Sequence, residues 1–290
     1  MAMAMAIPTL VAVGAGCSAA DEPADENDEL AVIAKDPLAM PASILKFEAE
    51  QGWGPHHLEW HTVRQWDLLQ PSDQAWAKEQ GWARADLQEG KKGNGLEFLA
   101  MHRVMIRTLK TKFPSQASLF AGWASPPTDP LDKNDPCPDG ANKPMDPSKL
   151  EAIDKMMNHL EDFKSDDELG LFLETSLRPT SKDPAARSKD KSAGLHNSMH
   201  NRFMDPHSKI DIGDPSVNLQ NKRFWRLHGW IESRWTAFRE LKKLSDQDPA
   251  YEAAIKKAED MLLHSGGVKA MPGQTPPPES LRKHFEQDPG

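Results

Sequence analysis

Two histidine pairs and two single histidines constrain this chain more than anything else in it. His196 and His200 stand four residues apart in GLHNSMHNRFMD, and His57 and His61 repeat the spacing in PHHLEWHTVRQW. On a helix, residues four apart share a face with Cβ atoms about 5–6 Å from one another, so each pair presents two imidazoles together. Each pair also has a single histidine on a second helical pattern. Around His228, Phe224, Trp225, Ile231, Trp235 and Phe238 fall at −4, −3, +3, +7 and +10. Around His102, Phe98, Leu99, Met105, Ile106, Leu109 and Phe113 fall at −4, −3, +3, +4, +7 and +11. Both single histidines therefore lie on the apolar stripe of an amphipathic helix. A lone histidine there is usually a hydrogen-bonded core residue. The duplication argues instead for two three-nitrogen sites: His57, His61 and His102, and His196, His200 and His228. His56 lacks the four-residue spacing to His61, so His57 is the expected ligand. No alternating strand pattern stands out. The expected fold is a single all-α domain around a four-helix bundle, with metal held between facing helices and long irregular loops.

Three segments resemble a known family. FLAMHRVMI resembles the FLPWHRxYL segment of tyrosinases and catechol oxidases, and LHNSMH resembles their HNxxH. DPSVNLQNKRFWRLHGWIESRW resembles their DPxFxxHHxxxDxxW, with Leu227 in place of the first adjacent histidine and Glu232 in place of the aspartate. The spacing from His228 to that acid (four) and to Trp235 (seven) is kept. The likeness is to type-3 copper proteins, in patches over Gly54–Phe238. The first half departs from tyrosinases, which carry a histidine about nine residues before the one in FLPWHR; here Gly93 stands there. The pair at His57 and His61 looks like the arrangement of arthropod hemocyanins and phenoloxidases.

The resemblance implies two copper ions, dioxygen as co-substrate, and oxidation of o-diphenols or o-aminophenols to quinones. Six neutral imidazoles, with no carboxylate or thiolate among them, suit copper or zinc. Asn197 matches the family asparagine that helps an upstream glutamate hold a water for deprotonating monophenols. That upstream position holds Arg187, and the nearest acid is Asp190, so monophenols are expected to react slowly or not at all. Glu232 is expected to take the part of the family's aspartate, pairing with an arginine such as Arg202. Trp230 stands where the family tunes substrate access, with plain core packing as its other reading. Two other functions fit the same residues: a hemocyanin-like dioxygen-binding protein without turnover, and a zinc or metal-free structural relative. HLEWH is not HExxH, because Glu59 comes one place too late for a zincin protease.

The rest of the chain bounds the setting. A net charge of −9 with no basic stripe argues against a nucleic-acid partner. No run of 18 apolar residues is present, so no spanning helix is expected. Two cysteines exclude a disulfide framework and a cysteine-built zinc site. Residues 1–17 read as an export signal ending at Cys17, a candidate for lipidation and so for membrane attachment. The expected location is then periplasmic, outer-membrane or secreted. Residues 18–44 read as a disordered tether, 45–265 as the metal-binding domain, and 266–290 as a Pro-rich tail. Within the domain, helices are expected over 43–51 with Ser43 as N-cap, 72–89, 149–163 with Leu150, Ile153, Met157 and Leu160 inward, and 249–264. Residues 114–148 form the longest expected loop; His159 is expected to be exposed, His207 to sit in a loop, and Cys137 to be an inert loop thiol.

Overall fold

The apolar stripes around His102 and His228 become the two longest helices among the described residues, and the remaining helices are packed around them. In the computed structural model, residues 26–138, 144–175, 192–263 and 276–286 are described. Their helices are α1 (Glu26–Ile33), α2 (Ala42–Glu50), α3 (Trp53–Arg64), α4 (Pro71–Glu79), α5 (Asn94–Lys112), α6 (Pro147–Asn158), α7 (Asp166–Glu174), α8 (Leu195–Arg202), α9 (Lys222–Lys242), α10 (Pro249–Leu263) and α11 (Glu279–Glu286). The only β pairing among the described residues is an isolated bridge between Ala39 and Asn221, so the domain is all-α. No helix among the described residues is long and apolar enough to cross a membrane.

The core is aromatic and continuous. Phe98, Phe224, Trp53, Trp225, Trp230 and Trp235 are fully buried in it, and aromatic side chains of this size dominate the energetics of such cores. The α5–α7 crossing is built on two glycines. A Cβ on Gly170 would come within 2.0 Å of the Gly95 carbonyl oxygen, and one on Gly95 within 2.2 Å of the Asp167 oxygen. Only backbone against backbone fits there. Asp167 then accepts from the amides of Gly93 (2.9 Å) and Leu96 (3.2 Å), satisfying two orphan donors at the start of α5. This crossing holds the N-terminal half of α5, and with it His102.

Several expectations are corrected. The segment 18–44 is not a free tether where it is described: Ile33, Ala39, Met40 and Ile44 are buried in the core. The amide of Met40 donates to Gln220, and that of Lys222 donates to Leu38, pinning this stretch beside the start of α9. The first helix after it begins at Ala42, with Pro41 rather than Ser43 at the cap. α4 ends at Glu79, so Trp82 lies beyond it and packs edge-on against Trp76, with ring centroids 5.1 Å apart. On α6, Ile153 is buried, but Lys149, Ala152 and Met156 join it inside while Leu150 is 42% exposed. The reason is Lys149, whose ammonium donates to the Ala193 carbonyl at 2.7 Å and carries its aliphatic stem inward. α7 was not anticipated. The Pro-rich tail expected over 266–290 contains α11, which buries Leu281 completely against Trp66, Leu69 and Ala77. His159 is exposed and His207 lies in the loop between α8 and α9, as expected. Cys17, Arg187 and Asp190 lie outside the described residues.

Candidate metal centre

The six histidines arrive from α3, α5, α8 and α9. His57 and His61 are one turn apart on α3, His196 and His200 one turn apart on α8, and His102 and His228 sit mid-helix on α5 and α9. All six are buried, from fully enclosed His228 to His200 at 8% exposure. Ring nitrogens of His57, His61 and His102 that could bind a metal lie within 4.8 Å of one another. The second compact set is His102, His196 and His228, not the expected His196, His200 and His228. The cause is a ring stack between α5 and α9: the His102 and His228 imidazoles are 3.9 Å apart and 10° from parallel. His102 thus stands between the two groups, and His200 joins through its Nε2, 3.4 Å from Nε2 of His228.

The orientation of the rings has a common logic. His57 Nδ1 donates to the Pro215 carbonyl at 3.0 Å, His102 Nδ1 to Phe98 at 2.9 Å, and His200 Nδ1 to Ile212 at 2.6 Å. His196 Nδ1 donates to Asn197 Oδ1 at 2.7 Å. An acceptor at Nδ1 fixes the proton there and leaves Nε2 as a lone pair, which is how metal-ligating histidines are commonly held. Those Nε2 atoms turn inward: His57 and His61 bring theirs to 3.2 Å. Nε2 of His102 and Nε2 of His196 are buried with no hydrogen-bond partner. Buried nitrogens with nothing to bond are costly unless something else takes the lone pair. Burial also holds His57 and His200 down to about 4, and pushes the other four well below the usual imidazole value. The rings are therefore neutral near pH 7, the state that binds metal. His56 instead faces Glu59, with Nδ1 4.0 Å from Oε2.

Two phenylalanines wall the centre. Phe224 is in ring contact with His57, His200, His102 and, at 4.0 Å, His228. Phe98 contacts His102 at 4.7 Å and His196 at 4.8 Å. Trp225 lies behind Phe224, with its indole N–H on the Leu219 carbonyl. Trp230 is fully buried elsewhere in the core, its indole N–H 3.4 Å from Met157 Sδ, and is not at the mouth of the centre. The mouth is formed by Gln65, Asn197, Asn218 and Phe285 with His61, His196 and His200, around a cavity of about 40 Å³. Phe285 comes from α11 and meets the His61 ring edge-on at 6.2 Å. On the same helix, His284 hydrogen-bonds Gln65 at 2.9 Å and the Ser280 hydroxyl donates to Asp73.

Asn197 also donates to the Glu174 carbonyl at 3.2 Å, so its amide ties His196 to the end of α7. Glu232 does not pair with Arg202, which donates to the Thr128 carbonyl. It takes Arg103 instead, at 2.8 and 2.9 Å, while that guanidinium lies 3.5 Å over the Trp235 ring. Arg103 follows His102 directly, so this ion pair braces α5 against α9 beside the stacked imidazoles. Cys137 is a free, buried thiol in its loop.

Phe98 and Phe224 were legible as the −4 neighbours of His102 and His228. Gln65, Asn218 and Phe285 were not, because folding alone brings them to the mouth. No family model matches the chain, and no curated protein and no solved structure matches it. The likeness to type-3 copper proteins rests on the motifs quoted above.

Proposed function

We propose that the six imidazoles hold two copper ions and that the protein oxidises o-diphenols or o-aminophenols with dioxygen. The observation that carries this reading is the convergence of six buried, neutral imidazoles, two of them with Nε2 atoms that have no hydrogen-bond partner. The donor set is nitrogen only, which suits copper over magnesium, calcium or manganese. His57, His61 and His102 would hold one ion; His196, His200 and His228 the other, with His102 close enough to exchange sides. Two copper ions so held supply a shared two-electron reduction of dioxygen, matched to the two electrons lost when a catechol becomes an o-quinone.

The chain's own residues do the rest. The carbonyls of Phe98, Pro215 and Ile212, with Asn197, hold four imidazoles in one tautomer. Phe98 and Phe224 exclude water from two sides. The mouth carries amides and no charged side chain. Gln65, Asn197 and Asn218 line it, and amides of this kind suit an O–H or N–H of the substrate. A neutral hydroxyl- or amino-bearing ring fits such a mouth better than a charged one.

A second reading is favoured by one observation. With Phe285 in place the cavity is only about 40 Å³. That holds a water or a dioxygen, whereas an apolar cavity takes up a benzene ring at around 150 Å³. In this arrangement the centre would bind dioxygen without turnover until α11 moves. One experiment tests both. The full chain is titrated with copper, metal content and dioxygen-dependent absorption are measured, and oxygen uptake is followed with catechol. Two copper ions per chain, the absorption and catechol-driven uptake support the oxidase. The first two without uptake support the dioxygen carrier. Failure to retain copper while zinc binds tightly would sink the copper reading.

A further inference from the structure

Gln65 continues the series that brings the histidines of α3 to the centre. His57, His61 and Gln65 follow one another at four-residue steps, so they share a face. α3 ends at Arg64 and Gln65 caps it, its backbone amide donating to the His61 carbonyl at 3.0 Å. The series thus climbs from the buried imidazoles to the mouth, where the Gln65 side chain joins His61 and Phe285 in the lining.

That side chain can stand only one way round. The segment after α4 runs beside the end of α3: the Ala85 amide donates to Val63 and the Glu89 amide to Arg64, both at 2.9 Å. The Glu89 carboxylate is thereby set against Gln65, whose Nε2 donates to it. A carboxylate accepts and cannot donate, so the amide nitrogen must face Glu89 and the amide oxygen must face away. His284 Nε2 lies 2.9 Å from that oxygen. An amide oxygen only accepts, so His284 supplies the N–H. The other amides of the mouth serve the centre itself. Asn197 accepts from His196 and donates to the Glu174 carbonyl, while Asn218 serves His57 and the Ile212 carbonyl. The Gln65 oxygen differs, because its donor comes from α11, which is held by a small cluster separate from the main core.

The contact also describes what could replace it. The Phe285 ring stands edge-on to His61 at 6.2 Å, and the His284 ring centre lies 5.3 Å from that of Phe285. An aromatic ring in the place of Phe285 reaches Gln65 only with a donor set farther out than a hydroxyl on the ring itself, on a short side chain. We propose that Gln65 determines specificity: its amide oxygen, aimed by Glu89, accepts a hydrogen bond from a neutral hydroxyl or amine on a short side chain of the aromatic substrate, in the place His284 fills. The reaction of that substrate rests on the oxidase reading above, whereas the hydrogen bond needs no metal.

The probes are phenethyl alcohol and its methyl ether, which differ in the donor, each titrated into the metal-free full chain and followed by ligand-observed NMR. The alcohol should bind about tenfold more tightly. In Gln65→Met, which keeps the length of the side chain and removes the amide, the two should bind equally. Glu89→Gln lets the Gln65 amide turn over, so the preference should fall to about threefold or less. Combining Gln65→Glu with Glu89→Gln returns an acceptor to the mouth and should return the preference to about tenfold. On the copper-loaded protein, hydroxyethylcatechol and its side-chain methyl ether should differ by the same factor in KM and not in kcat, because the bond is made on binding. Equal binding of alcohol and ether to the unaltered chain would overturn the proposal, as would a preference that survives Gln65→Met or no binding of either probe. If Gln65→Met does not fold, Glu89→Gln and the double exchange decide. Alcohol binding through Gln65 without oxidation of any catechol would sink the oxidase and leave this hydrogen bond standing.

Discussion

Shortening Leu281 to alanine should uncover the metal centre about thirtyfold more often without unfolding the domain. Leu281 is fully buried, in a small cluster with Trp66, Leu69 and Ala77 that is separate from the main core. Buried Leu→Ala changes cost about 2–5 kcal/mol, and a small peripheral cluster collapses readily, so the low end, about 2 kcal/mol, applies. At 1.36 kcal/mol per factor of ten, that is roughly thirtyfold in the equilibrium between docked and undocked α11. The loss falls on a local opening, because the imidazoles themselves sit in the main core. Amide exchange over Glu279–Glu286 should therefore rise by about the same factor while the melting temperature of the domain stays put. Access is read separately, as the rate at which a bulky chelator strips copper from the loaded protein, and as catechol-dependent oxygen uptake. Both should rise with exchange. Faster exchange with unchanged copper extraction would refute the idea that Phe285 closes the centre.

Three further outcomes are expected. His57→Ala should lower bound copper from two to one per chain, while His56→Ala, whose ring faces Glu59, should leave it at two; metal analysis decides. Glu232→Gln should destabilise the fold by about 2–3 kcal/mol, somewhat less than removing one partner of a buried pair outright, and leave copper content unchanged. A denaturation curve like wild type with a slowed reaction would instead give Glu232 a part in the chemistry. The metal-free protein should lose stability as pH falls from 6.5 to about 4. Burial holds folded His57 and His200 at about 4, so across that window the unfolded chain binds more protons and unfolding gains roughly 3 kcal/mol per imidazole. A flat stability profile over that range would contradict the burial of these rings.

Local helical geometry was legible in the order of the residues. Four-residue spacing put His57 with His61 and His196 with His200, and the apolar stripes put His102 and His228 inside; no knowledge of the fold was needed for either. How the sets meet depends on helix packing. His102 stacks on His228 because two long helices cross face to face, and no spacing along one helix reports the distance to another. Glu232 finds Arg103 rather than Arg202 for the same reason: the choice between two arginines depends on which helix lies alongside. α7 escaped notice because it is short: its buried apolar residues, Leu169, Phe172 and Leu173, span little more than one turn, too few for a helical period to register. The stretch around Met40 is apolar but broken by Pro37 and Pro41, so no period runs through it, and the helix around Leu281 has few apolar residues in polar sequence. Their burial comes from surfaces that exist only once α3, α4 and α9 are in place. That is why the six histidines could be read from the chain, while Phe285 beside them could not.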